Sequence, residues 1–194
     1  MAKVILIGGT AGSGKSTTAR EIASKVGINH VIGTGFIREI LKKELDVDGY
    51  NYHTYDNVPN FTPYEFLAHQ TELMKDAIDA CIDRADREGT DIIIEGNHCI
   101  PWILNNHKVT NSFILYVVDK NAHWKYLHSS THSKRVITES DFERIREIQE
   151  QLVGLAHKYN IPTFEYHNAK RLILEALWPQ HYILEDFNHH ILDI

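Results

Sequence analysis

Short apolar runs alternate along the chain with stretches of helical spacing. Lys3–Ile7 is an apolar run that ends in glycines, the pattern of a buried parallel strand. Ser16–Val26 follows with Ala19, Ile22, Ala23 and Val26 at helical spacing and stops at Gly27. Asn29–Gly33 predicts a second strand and Phe36–Leu45 a short helix; Asp46–Thr62, mixed in Gly, Asn, Asp, Pro and rings, predicts a long loop. Pro63 opens a long helix that runs to about Glu88, with Gly89 ending it. Asp91–Glu95 and Ser112–Val118 predict the third and fourth strands, and Ala122–His132 a polar helix. Ser140-Asp141-Phe142-Glu143 can cap a helix reaching about Tyr159, before a fifth strand, Ile161–Tyr166, and a last helix, Ala169–Trp178. Strands separated by helices predict a three-layer α/β fold around a five-stranded, mostly parallel sheet.

Composition narrows the class without changing this picture. The 194 residues are 43% hydrophobic and 24% charged, with no repeat or linker, so one domain over residues 1–194 is expected. No apolar run reaches the roughly 18–20 residues of a membrane span, and the first one meets its glycines too soon for a signal peptide. Two cysteines, Cys81 and Cys99, make neither a disulfide scaffold nor a metal site by spacing. A reduced, cytoplasmic protein with no membrane partner is the expectation. The net charge of −6 weighs against nucleic-acid binding. Thirteen histidines would carry that charge to +7 if all were protonated.

The chemistry begins at Gly9-Thr10-Ala11-Gly12-Ser13-Gly14-Lys15-Ser16, which fits G-x-x-x-x-G-K-[ST] between a predicted strand and a predicted helix. Glycines let successive N–H groups converge on phosphate oxygens, and the helix that follows adds its positive end. Gly9 to Thr17 are the expected nucleotide-binding residues, with Lys15 neutralising the β/γ-phosphates and the Ser16 hydroxyl on Mg²⁺. Such proteins need a carboxylate at a neighbouring strand end, and Ile92-Ile93-Ile94-Glu95 delivers Glu95 there as a metal and catalytic residue. Asp119 is a second strand-end acid, or the cap of the next helix. No Asn-Lys-x-Asp guanine reader is present. Instead, Gly33-Thr34-Gly35-Phe36-Ile37-Arg38 follows the short second strand, where small-molecule kinases bind their acceptor, and the planar fork of Arg38 suits an anionic group. The polar segment Ala122–Arg146, carrying Lys125, Lys134, Arg135, Arg144 and Arg146, reads as a cationic lid (about 122–146) in which Arg135 and Arg144 act on the transferring phosphate. The kinase core is then 3–120 and 161–178, with a C-terminal tail, 179–194, that packs on its own core or on a second subunit, as in a homodimer.

These stretches, with Val31–Leu41, His53-Thr54, Ile93-Ile94-Glu95-Gly96-Asn97-His98, Val118–His123 and Phe142–Gln149, resemble the 2-phosphoglycerate kinase family of P-loop kinases, which includes the related mevalonate-3-phosphate 5-kinase. The likeness covers most of residues 3–178. It implies a nucleoside monophosphate kinase-like fold with a helical lid and transfer of the ATP γ-phosphoryl group to a hydroxyl of a small phosphorylated carboxylic acid. ATP and Mg²⁺ are the implied cofactors, and His53, Thr54 and His98 join Arg38 as implied acceptor contacts. Two features depart from the family pattern. Gly35 stands where many relatives carry Asp, and the P-loop begins at residue 9 where typical archaeal members resemble a kinase core with an added N-terminal domain. The first removes a candidate base or metal contact and leaves the acceptor open; the short form, with the histidine-rich composition, turns the expectation towards the mevalonate branch. A nucleotide or polynucleotide kinase and an ATP-binding regulatory module are the alternatives.

Overall fold

The computed structural model describes residues 2–129 and 136–179. Five strands, β1 (Val4–Gly9), β2 (His30–Gly33), β3 (Ile92–Glu95), β4 (Asn111–Tyr116) and β5 (Thr163–Glu165), form one sheet in the order β2-β3-β1-β4-β5. Every pairing is parallel, where the sequence pattern predicts a mostly parallel sheet. The helices are α1 (Lys15–Val26), α2 (Thr34–Glu44), α3 (Pro63–Glu88), α4 (Pro101–Leu104), α5 (Lys120–Leu127), α6 (Glu139–Lys158) and α7 (Tyr166–Leu177).

Side chains alternate across a strand, so Val4 and Leu6 of β1 face one way and Ile5 and Ile7 the other. All four are buried, which requires helices on both faces. Ala19, Ile22 and Ala23 of α1 and Ile173 and Leu174 of α7 cover the Ile5/Ile7 side. Ile37 of α2 and Met74, Ile78 and Ile82 of α3 cover the Val4/Leu6 side. A third cluster joins Leu127 of α5 and Phe142, Ile145, Ile148 and Leu152 of α6 to Ile114 of β4.

That third cluster corrects one expectation. The segment Ala122–Arg146 does carry buried apolar residues, Leu127, Ile137, Phe142 and Ile145, and His123 and Arg146 are buried with them. Each buried side chain of Leu, Ile or Phe size contributes about 1.5–3 kcal/mol, so α6 is anchored to the core and the expected lid does not reach residue 146. Lys134, Arg135 and most of the C-terminal tail (180–194) lie outside the described residues.

Boundaries shift by a few residues for local reasons. α6 starts on a capping box made by Thr138 and Asp141, with its cap two residues before Ser140, where the sequence motif begins. α2 follows β2 without a loop, because Thr34 is buried and begins the helix itself. The long loop 46–62 contains a short 3-10 turn, Asp48–Tyr50, and buries Tyr50, Thr54 and Tyr55.

Candidate active site

The P-loop leaves β1 at the carboxyl edge of the sheet and closes on α1. Gly14, at φ 78, precedes the first turn in the left-handed region, and a β-carbon there would enter the Tyr166 ring. Lys15 is buried, with its ammonium on the Thr10 carbonyl (2.5 Å) and near Ser13 Oγ (3.5 Å). Ser13 Oγ also donates to the Thr10 carbonyl, at 2.9 Å.

The parallel register brings the acid to this loop. Glu95 sits beside Ile7 of β1 on one side and Gly33 of β2 on the other. Its Oε1 accepts from the Ser16 hydroxyl at 2.9 Å. These are two hard oxygen donors side by side at a helix N-terminus, a set that fits Mg²⁺, which takes one or two protein oxygens and completes its shell with phosphates and water. Asp119 is not part of it. Its carboxylate caps α5 by accepting from Ala122 N–H at 2.7 Å.

Opposite the P-loop, loop 95–98 and α2 form the second wall. Gly96 has φ 150, and any side chain there would collide with the Thr34 hydroxyl. The backbone can therefore pass close to α2 and present Asn97 and His98. Asn97 Nδ2 donates to Thr54 Oγ1 at 2.8 Å. Gln70 of α3 donates its amide to the carbonyls of Gly49 (2.5 Å) and Tyr52 (2.9 Å), so its Oε1 accepts from His98 Nε2–H at 2.9 Å. His98 Nδ1 then accepts from the Thr34 hydroxyl at 3.2 Å. Burial, and after it the charges of Arg38 and Lys15, push the His98 pKa down to about 3. His98 lines the cleft as a neutral, buried ring with both nitrogens engaged, by Gln70 and by Thr34.

Arg38 reaches the same wall. Its guanidinium donates to the Tyr52 carbonyl at 3.0 Å, stands 3.4 Å from His53 Nδ1 and pairs with Glu39 at 2.6 Å. That hydrogen bond holds the Glu39 carboxyl below its ordinary range. Arg38 Nε is buried without a partner. His53 stacks on Tyr55, with ring centroids 5.3 Å apart.

Lys15, Ser16, Thr17, Glu95, Arg38, His53, Thr54 and His98 thus line one cleft of about 750 Å³. Arg144 does not line it. Its donors go to the Tyr55 carbonyl (2.6 Å), Ser140 Oγ (2.7 Å) and Asp141 (2.6 Å), so it braces loop 46–62 from behind. Arg146, also expected as a lid cation, is buried and donates to the Val117 carbonyl at 2.6 Å. Residues given no role from the sequence also line it, among them Arg20, Phe36, Asn97, Tyr126, Ser129 and Tyr166. Tyr166 directly follows β5 and meets Tyr126 edge-on at 5.1 Å, beside Gly14. Its place at a strand's carboxyl end is the signal that could have found it.

No protein-family model matches the chain. It is 32% identical over 184 residues to the 2-phosphoglycerate kinase of Pyrococcus horikoshii and 33% over 181 residues to that of Methanocaldococcus jannaschii. Each alignment covers 84% of this chain and 58% of the relative, so the chain spans a little under three fifths of their length. Among solved structures, shikimate kinase from Acinetobacter baumannii, in complex with shikimate, superposes with a TM-score of 0.58 at 13% identity, covering 93% of this chain and 95% of that one. Deoxyadenosine kinase from M. mycoides gives 0.51 at 17% identity, covering 90% and 98%. The chain therefore has a P-loop kinase-like α/β fold, and in sequence it is a relative of the archaeal 2-phosphoglycerate kinases.

Proposed function

We propose that the protein is a kinase that moves the γ-phosphoryl group of ATP to a hydroxyl of a small phosphorylated carboxylic acid: 2-phosphoglycerate, or the 5-hydroxyl of mevalonate 3-phosphate. The observation that carries this reading is a single cleft in which the Ser16–Glu95 pair lies between the P-loop and the wall of Arg38, His53 and Thr54. Its volume, about 750 Å³, is that of a small-molecule site. The names of the sequence relatives support the acceptor class.

In this mechanism the acceptor oxygen bonds to the γ-phosphorus as the bond to the β-phosphate oxygen breaks, through a loose transition state whose charge spreads over the γ oxygens, and the hydroxyl proton leaves to a phosphate oxygen or to water. The P-loop amides and Lys15 hold the phosphates, with the ammonium exchanging the Thr10 carbonyl for phosphate oxygens. Ser16 and Glu95 would hold Mg²⁺, which supplies charge neutralisation when bound. Arg38 and His53 take the acceptor's anionic groups, and Tyr126 and Tyr166 offer ring faces to the nucleotide beside the P-loop. Catalysis is then mainly positioning and charge stabilisation. The space over Gly35 is open, so the acceptor side accommodates a bulkier acid than an aspartate at that position would allow.

The test is ADP release from Mg·ATP with 2-phosphoglycerate, mevalonate 3-phosphate, 3-phosphoglycerate, AMP, CMP or no acceptor. Turnover dependent on one phosphorylated acid is the expected result. Turnover with AMP or CMP alone, or equal release in every tube, overturns the reading.

A further inference from the structure

His123 is the one imidazole that touches the P-loop backbone among the described contacts, and nothing in the mechanism above uses it. It lies on α5 with no exposed surface, and its Nε2 is 2.8 Å from the carbonyl oxygen of Ala11. A carbonyl only accepts, so Nε2 carries the hydrogen. The other nitrogen, Nδ1, faces a guanidinium nitrogen of Arg146 at 3.4 Å, which only donates. The two contacts together fix one neutral tautomer. Arg146 is itself held by the carbonyls of Val117 (2.6 Å) and Val118 (3.4 Å), and Gln149 brackets Val117 by accepting from its N–H at 2.9 Å and donating to its carbonyl at 3.0 Å. A continuous chain of hydrogen bonds thus runs from α6 through the end of β4 to the P-loop.

The consequence lies in the peptide that His123 holds. The Ala11–Gly12 peptide is planar and trans, so its carbonyl and its N–H point in opposite directions. With the carbonyl drawn outward to α5, the Gly12 N–H is turned into the loop, where phosphate oxygens would bind. A peptide that precedes glycine is otherwise easy to flip, since Gly12, at φ 77, accepts backbone conformations closed to other residues. A flip would replace an inward donor by an inward carbonyl oxygen, a repulsive group for a phosphate.

We infer that His123 is a positioning residue: it locks the Ala11–Gly12 peptide in the orientation that offers the Gly12 N–H to the nucleotide's phosphates. This rests on the reading of the cleft as a nucleotide site. Burial first, and then the charges of Arg146 and Lys15, lower the His123 pKa to about 4, and the hydrogen bond to Ala11 opposes that shift only in part. The ring is therefore neutral throughout the working range, as the single tautomer requires.

Three forms separate the inference from a packing role: wild type, His123→Leu, which keeps bulk and loses the donor, and His123→Gln, whose Nε2 can still donate to Ala11. Isothermal titration with Mg·ADP, and with adenosine as the phosphate-free control, reads the affinity; thermal melting reads the fold. His123→Leu is expected to weaken Mg·ADP about tenfold, the scale of one buried hydrogen bond left unmade. Adenosine binding should stay within about twofold, and His123→Gln should recover most of the Mg·ADP loss. Equal Mg·ADP affinity in wild type and His123→Leu overturns the inference. So does a His123→Gln variant that melts like wild type yet binds as poorly as His123→Leu. Wild-type protein that binds no Mg·ADP or Mg·ATP overturns instead the nucleotide-site reading on which it rests.

Discussion

At the scale of the residue, the contact between Ser16 and Glu95 governs the proposed chemistry. A hydroxyl and a carboxylate 2.9 Å apart leave each group with a lone pair for a cation, and the strand end beneath Glu95 holds it in place. Glu95→Gln removes the charge while leaving an oxygen that can accept from Ser16, so the fold should survive. On the proposed mechanism kcat falls by about 10²–10³, the range for losing one preorganised electrostatic contact, and half-saturation shifts to higher Mg²⁺. A Mg²⁺ titration of turnover checks this, and an unchanged titration curve removes Glu95 from the metal. Lys15, Ser16 and Glu95 were legible in the sequence because a motif and an apolar strand end state their positions locally. The engagement of His98 was not. Its partners Thr34 and Gln70 are 64 and 28 residues away, and only the packed structure shows that both ring nitrogens are spoken for.

At the scale of the element, α3 and α6 support from behind the wall proposed to hold the acceptor. Gln70 of α3 ties the Gly49 and Tyr52 carbonyls to His98, and Arg144 of α6 holds the Tyr55 carbonyl. Gln70→Leu leaves the Gly49 carbonyl and the His98 N–H without this partner, while the Tyr52 carbonyl keeps its bond from Arg38, at about 1–3 kcal/mol for each buried group so stranded. We expect a lower melting temperature and a raised acceptor KM with little change in the KM for ATP; a raised ATP KM alone would contradict this division of the cleft. The helices themselves were largely readable. α3 runs over Pro63–Glu88 as its proline and terminal glycine predict, and all five strands fall within the predicted apolar runs or beside their ends. What misled was the polar lettering of residues 122–146. Arg146 and Gln149 look like surface residues on a helix wheel, yet both are buried because the end of β4 presents the Val117 backbone to them. A non-local carbonyl leaves no mark in sequence spacing.

At the scale of the whole molecule, two buried histidines set a response to acid. His98 and His123 have folded pKa values of about 3 and about 4, below the ordinary 6.5. The unfolded chain therefore binds protons first as pH falls. Stability from these two groups is complete above about pH 6.5 and drains away below it, by up to ~1.4 kcal/mol per pH unit for each ring. Urea unfolding at pH 7.5 and pH 5.5 should show a clearly lower midpoint at the acid value. The general rise in positive charge from thirteen histidines acts in the same interval. Among the described residues no helix is long and apolar enough to cross a membrane.

The most direct test of the central claim follows the phosphorus atom itself. Wild-type protein, Lys15→Ala and Arg38→Ala are incubated with Mg²⁺ and ATP labelled in the γ-phosphate, with and without 2-phosphoglycerate or mevalonate 3-phosphate. The account predicts label in the organic acid with wild type, none with Lys15→Ala, and with Arg38→Ala an acceptor KM raised by tenfold or more, the scale of a lost charge-assisted hydrogen bond. Label released only as inorganic phosphate, at one rate whether or not an acid is present, would contradict it.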